Sequence, residues 1–272
     1  MRIDPLVRML LQDKIITSWF FLRYHDKEGH HIRLRLRVED NLYTQTIKLL
    51  YEALHFELKK EIVKLKFDTY NRELERYGGG LILECEDFFH ADSSCVFELM
   101  NYAISNDNNS RWLIGVYAIN LLLDDFKITI KERCNLFKFL SEQFAIEFNV
   151  SKNVNLKKAI SKRYREDSNL VNEFIKDLKP NELSNILEKR SISIQPIIGK
   201  IKEKVIDNSF VSEIDLLRSF IHMFLNRLLE IRQREHELLI YSYLFKHYKS
   251  IAYLSENDAK EISNEAKLTL NL

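Results

Sequence analysis

Residues 31 to 38 read His31-Ile32-Arg33-Leu34-Arg35-Leu36-Arg37-Val38, with histidine or arginine at every odd position and an aliphatic residue at every even one. Alternate side chains of a strand share a face at spacings of about 6.5–7 Å, so His31, Arg33, Arg35 and Arg37 are predicted to stand in a row. An amphipathic strand with a solvated charged face accounts for this pattern. A row of arginines with neither lysine nor acid among them also fits a second account. Guanidinium is a planar fork of donors suited to carboxylate or phosphate, and like charges in a row repel unless an anion lies between them. On that account the face holds an anion.

Two further segments carry groups of related chemistry. Arg72-Glu73-Leu74-Glu75-Arg76-Tyr77-Gly78-Gly79-Gly80 ends in half of all the glycine in the chain, which predicts a backbone feature with special φ/ψ. If its first residues form a helical turn, Glu73 and Arg76 are neighbours at i,i+3, and Arg72 and Arg76 at i,i+4. Spacing alone slightly favours a surface ion-pair cluster of little energetic weight. The functional alternative is that Glu73 orients Arg76 while the glycines admit a substrate or a neighbouring backbone. In His222-Met223-Phe224-Leu225-Asn226-Arg227, helical spacing puts His222 and Asn226 on one stripe. A histidine between apolar residues is more often a satisfied core group than a catalyst. Imidazole is nonetheless the side chain best matched to proton transfer near neutral pH, and Asn226 is placed to fix its tautomer or to bind substrate.

The elements that must position these groups follow from patterning. Thr17–Tyr24 is dense in β-branched and aromatic residues and reads as a strand; His25–His30 is a turn, so the arginine segment completes a hairpin. Tyr43–Glu61 has helical spacing, Leu65–Tyr70 reads as a further strand, and Asp92-Ser93-Ser94 as an N-cap cluster before Val96–Ile104. Beyond it, Ser110–Leu123, Ile130–Phe148 and Val211–Lys249 are predicted helices, the last as one long element. Glycine and proline together number only nine, in keeping with a helix-rich chain. The expected fold class is α+β, a small antiparallel sheet from the N-terminal third packed against a predominantly helical remainder. No convincing domain boundary appears; 1–272 reads as a single domain, with about 155–208 a peripheral helical lobe containing Pro180 and Pro196.

Composition sets limits on function. The chain has 272 residues, 41 basic and 40 acidic, for a formal charge of +1, which argues against a dedicated polyanion binder. Three cysteines, none in a CxxC pair, argue against a disulfide framework and for a reducing, cytoplasmic setting. No stretch suits a signal peptide or a transmembrane span. HExxH, GxGxxG, the P-loop and GxSxG are absent, so no metal, nucleotide or serine-hydrolase site is expected.

Taken together and in order, four segments resemble one family. Trp19-Phe20-Phe21-Leu22-Arg23-Tyr24 followed by His31-Ile32-Arg33-Leu34-Arg35 is similar to the opening signature of the thiopeptide-type bacteriocin biosynthesis domains, the C-terminal elimination domains of class I lanthipeptide dehydratases. Tyr70-Asn71-Arg72-Glu73-Leu74-Glu75-Arg76-Tyr77-Gly78-Gly79 resembles the second signature, Glu86-Asp87-Phe88-Phe89-His90-Ala91-Asp92-Ser93 the third, and His222–Arg227 the fourth. The resemblance implies a lyase that needs no cofactor. It would eliminate glutamate from glutamylated serine or threonine of a ribosomally made precursor peptide, leaving dehydroalanine or dehydrobutyrine. By this analogy Arg35, Arg76 and His222 match positions tied to elimination, and His31, Arg33 and Glu73 match neighbouring substrate-binding positions; Asn226 and Arg227 complete the expected binding set. The glutamyl ester would come from a separate glutamyl-tRNA-dependent glutamylation protein, making this chain half of a split dehydratase. A homodimer is plausible by the same analogy, and no direct nucleic-acid binding is expected. Two alternatives stand beside this reading: a [4+2] cycloaddition that forms the pyridine core of thiopeptides, and a non-catalytic peptide-binding subunit.

Overall fold

In the computed structural model, residues 3–55, 58, 60, 62–106, 111–150, 154–176, 181–206 and 211–269 are described. The chain opens with helix α1 (Ile3–Gln12) and a hairpin of β1 (Ile16–Asp26) and β2 (Gly29–Val38). The strands pair antiparallel from Ile16↔Val38 to Asp26↔Gly29, with one irregularity between Ile16 and Ser18. Lys27 and Glu28 alone connect them, and Gly29 takes φ +103°, a conformation that a side chain resists. There follow α2 (Tyr43–Leu54), the single turn α3 (Leu74–Tyr77), α4 (Ile82–Ser105), α5 (Arg111–Asp125), α6 (Ile130–Glu147), α7 (Val154–Lys176), α8 (Glu182–Ile206), α9 (Glu213–Leu228) and α10 (Gln233–Thr269). The fold is α+β, with a two-stranded antiparallel sheet near the N-terminus and a predominantly helical remainder. No helix among the described residues is long and apolar enough to cross a membrane.

The chain divides into two compact units, Met1–Asn101 with Ile192–Arg227, and Tyr102–Ser191 with Leu228–Leu272. In the second, α10 packs along α6 through Phe137 against Tyr241 and Tyr248, and through Phe144 against Tyr241. Thr129 starts α6 with a reciprocal capping box to Glu132. The buried Arg133 donates to the Ile128 carbonyl and to Asp124.

The first unit carries the sequence motifs, and its organising problem is the edge of β1. Trp19, Phe20 and Phe21 are all buried, so β1 is the inner strand, and its edge away from β2 faces helices rather than water. Buried backbone groups need partners. Side chains from α4 and α9 supply them. Phe21 N–H donates to Ser93 Oγ (3.3 Å), and its carbonyl accepts from Arg227 Nε (2.7 Å). Arg23 N–H donates to Asn226 Oδ1 (2.8 Å), and its carbonyl accepts from Asn226 Nδ2 (2.9 Å). His90 Nδ1 lies 3.0 Å from the Trp19 carbonyl and 3.3 Å from its amide nitrogen; one nitrogen cannot serve both, and the shorter contact makes it a donor to the carbonyl. Four side chains thus do for Trp19, Phe21 and Arg23 what a third strand would do.

Patterning misjudged several elements, each for a local reason. Asp92-Ser93-Ser94 lies inside α4, not at its start, because Asp92 and Ser93 are buried and bond to Arg227 and β1. Leu65–Tyr70 is not paired in a sheet. Ile32 is 39% exposed, and Leu34, Leu36 and Val38 are only half-buried, because the helices pack on β1 and leave β2 outermost. Val211–Lys249 is interrupted after Leu228, where Arg232 takes φ +51°, giving α9 and α10. Helix α2 ends at Leu54; Phe56, Glu57, Lys59 and Glu61 of its expected continuation lie outside the described residues, as do Ser110 and Pro180.

Candidate active site

The arginine row does not behave as one face. Arg37, at the root of the hairpin, is neutralised: its Nη1 lies 2.9 Å from Asp87 and its Nη2 3.2 Å from Glu86. Glu86 is 5% exposed and is also gripped in a two-pronged contact by Arg72, Nε to Oε1 at 2.8 Å and Nη2 to Oε2 at 2.9 Å. Arg72 and Arg37 therefore share a buried carboxylate and serve to fix the segment before α3 against α4 and the hairpin.

Arg33 and Arg35 are treated differently. Among the described residues, no carboxylate lies within ion-pair distance of either. Arg33 stacks on the cross-strand Tyr24, Cζ 3.5 Å from the ring centroid, and its Nε donates to His31 Nε2 (3.3 Å). That leaves His31 Nδ1–H to donate to the Gly29 carbonyl (3.2 Å). Arg35 lies over Tyr70, Cζ 4.8 Å from the centroid, and its Nε is buried with no hydrogen-bond partner. Burial lowers the Arg35 pKa; nearby Arg33 pushes it the same way, while Tyr70, Asp68 and Glu73 oppose the shift. A desolvated guanidinium with an unanswered buried N–H is costly, and such exceptions call for an explanation.

The glycine-rich segment and α9 meet this face over a continuous aromatic floor. Tyr70, beneath Arg35, packs on Phe20 (5.8 Å); Phe20 packs on Phe89 (5.4 Å); Phe89 packs on Tyr77 (5.4 Å) and on Phe220 (5.8 Å). Arg76 lies over Tyr77, and Phe220 is two residues before His222 on α9. Gly78, at φ +76°, ends α3 and turns the chain into α4. Arg76 Nε donates to Ser219 Oγ (3.3 Å), and its Nη1 stands 3.5 Å from Glu73, an exposed and loose pair. Ser219 and half-buried His222 are i,i+3 on α9 and so share a face. Arg76 thus touches Glu73 and Ser219 of α9, and Arg35 is linked to it through the rings of Tyr70, Phe20, Phe89 and Tyr77. Among the described residues, no group of three or more His, Cys, Asp or Glu is gathered in a way that would hold a metal ion.

The family model for lantibiotic biosynthesis dehydratases, C-terminal part, matches residues 1–248. The chain belongs to this family. It is 29% identical over 246 residues to the nisin biosynthesis protein NisB of Lactococcus lactis subsp. lactis, covering 86% of this chain but 22% of NisB, so it spans about a fifth of that relative. Its fold is similar to that of the tRNA-dependent lantibiotic dehydratase MibB from Microbispora sp. 107891, with TM-score 0.63 at 18% identity, covering 89% of this chain and 26% of MibB. It is also similar to that of TsrL, again with TM-score 0.63, at 14% identity, covering 92% of this chain and 89% of TsrL.

Within this lantibiotic dehydratase domain, two residues expected to bind substrate take other roles. Arg227 is 0% exposed; it bonds to Asp92 (3.0 Å) and to the Phe21 carbonyl, and so lies beyond the reach of a substrate. Asn226 bonds to both backbone groups of Arg23, closing the sheet edge instead of facing a ligand. Sequence reasoning also passed over Ser219, Tyr70 and Glu86. Ser219 was detectable, since it stands one turn before His222 on the same stripe; the partnership of Glu86 with Arg37 and Arg72 carries no local signal.

Proposed function

We propose that this domain eliminates glutamate from glutamylated serine or threonine side chains of a precursor peptide. Its membership of the lantibiotic dehydratase family supports a setting in lanthipeptide dehydration. The observation that carries the finer reading is the contrast within the arginine row: Arg37 is satisfied inside the protein, whereas Arg33 and Arg35 remain part-exposed without a carboxylate partner among the described residues.

A glutamyl ester offers a side-chain carboxylate and an ammonium group. Arg33 and Arg35 grip the carboxylate through charge-assisted bonds worth about 1.5–3 kcal/mol each, and Glu73 pairs with the ammonium. In the reaction the Cα–H bond breaks, its electron pair forms the Cα=Cβ bond, and the Cβ–O bond breaks to release glutamate as its carboxylate. The carbanion is enolate-like, with charge growing on the peptide carbonyl, so it needs donors already in place. Arg76, held by Ser219, supplies them, and His222 is the acid/base group. Glutamylation itself is assigned to a glutamyl-tRNA-dependent activity outside this domain, a reading that the tRNA dependence in MibB's name supports.

Purified protein given a glutamylated precursor peptide releases free glutamate and leaves an unsaturated residue, detected by amino-acid analysis and peptide mass. Arg76→Ala and His222→Ala leave the glutamylated peptide intact while far-ultraviolet dichroism stays native. Cyclisation of a peptide already bearing dehydroalanines, with no glutamate released from the ester, assigns the domain to cycloaddition instead.

A further inference from the structure

The segment 62–73 crosses from the hairpin tip to α4, and side chains fix its course. At one end Lys64 and Lys66 place Nζ 3.3 and 2.8 Å from the Glu28 carboxylate; at the other Arg72 grips Glu86. Between these anchors Tyr70 lies on the hairpin, edge-to-face with Phe20 at 5.8 Å and 4.8 Å from the Arg35 Cζ. Phe20 and Arg35 are cross-strand partners, so Tyr70 seals both members of one pair. With no ion pair to Arg35 among the described residues, the ring is the contact that sets the guanidinium plane.

From this geometry we infer that Tyr70 is the positioning residue of Arg35, holding its guanidinium in the orientation that meets the substrate's carboxylate. The inference rests on the elimination reading for what Arg35 grips. An arginine side chain is flexible, and fixing its fork before the substrate arrives removes an ordering cost from binding. Burial, reinforced by the Glu86 and Glu73 carboxylates, pushes the Tyr70 phenol up to about 12 against the pull of Arg35 and Arg72. Tyr70 is therefore a neutral ring at working pH, neither a rival anion for Arg35 nor a base.

The test has two readouts. In the resting protein, nuclear magnetic resonance of the Arg35 side chain shows a ring-current shift that Tyr70→Phe keeps and Tyr70→Leu loses. With glutamylated peptide, Tyr70→Leu raises KM and lowers kcat/KM about tenfold, Tyr70→Phe stays close to the unmodified protein, and Tyr70→Leu adds nothing in an Arg35→Ala background. Additive losses in the double variant overturn the inference, as does a Phe variant as poor as the Leu one. Absence of glutamate release by the unmodified protein defeats the elimination reading alone; the resonance comparison still decides positioning, and an Arg35 shift unchanged in Tyr70→Leu overturns it.

Discussion

Arg227 and Arg35 are both desolvated by this fold, and their surroundings answer the cost in opposite ways. Burial lowers the pKa of each. For Arg227, at the inner edge of β1, the protein provides a buried carboxylate, Asp92, and a backbone carbonyl, leaving only Nη2 without a hydrogen-bond partner. For Arg35, on the outer strand, it provides an aromatic ring and carboxylates too far away to pair, Asp68 and Glu73. The first arginine holds the sheet together. The second, in the proposed function, presents its donors to a group from outside the chain, since such a residue can bind substrate without breaking an internal ion pair.

The largest effect expected from this contrast falls on the frame. Arg227→Leu takes the buried cation away from the Asp92 carboxylate and removes the partner of the Phe21 carbonyl, a loss of about 3–5 kcal/mol on urea unfolding. Pairing it with Asp92→Asn recovers part of that loss. A fully stable single variant would erase the distinction between the two arginines.

How much of this was legible beforehand depends on how far each interaction reaches along the chain. The hairpin is written locally, in a period of two and a turn signal, and it forms, though Lys27 and Glu28 alone make the connection expected over His25–His30; the arginine row lies on β2 but does not act as one face. The pairing of Glu73 with Arg76 is likewise an i,i+3 relation, and it appears, though loosely. The division of labour within the row was hidden, because Arg37 finds its partners some 50 residues away, at Glu86 and Asp87. Asp92 and Ser93 look like a helix start by local chemistry, yet tertiary need keeps them inside α4, where β1 lacks partners. Asn226 and Arg227 follow His222 closely enough to suggest one shared task, but both are bonded to the backbone of β1. The two compact units exchange inside α4 and α8, where no linker marks the passage.

A smaller effect concerns His90, the titratable member of the sheet-edge set. Burial lowers its pKa from the ordinary value of about 6.5, with Arg37 acting in the same sense, against the Trp19 hydrogen bond and Asp87. Its contribution is complete above about 6.5 and is lost as pH falls from there toward the lowered folded value, because the unfolded chain takes up the proton first. Urea midpoints measured from pH 7.5 to 5 (about one unit above the ordinary imidazole range to below it) fall less steeply in His90→Gln than in the unmodified protein. Equal slopes would remove His90 from the frame's pH response.

The contrast between satisfied and presented arginines is tested most directly by calorimetric titration of free glutamate, the proposed product, into the unmodified protein, Arg35→Ala and Arg37→Ala. The account predicts that the Arg35 variant loses affinity by about 10-fold or more, whereas the Arg37 variant, whatever its stability, binds nearly as well as the unmodified protein. Equal losses in both variants, or no loss in Arg35→Ala, would contradict it.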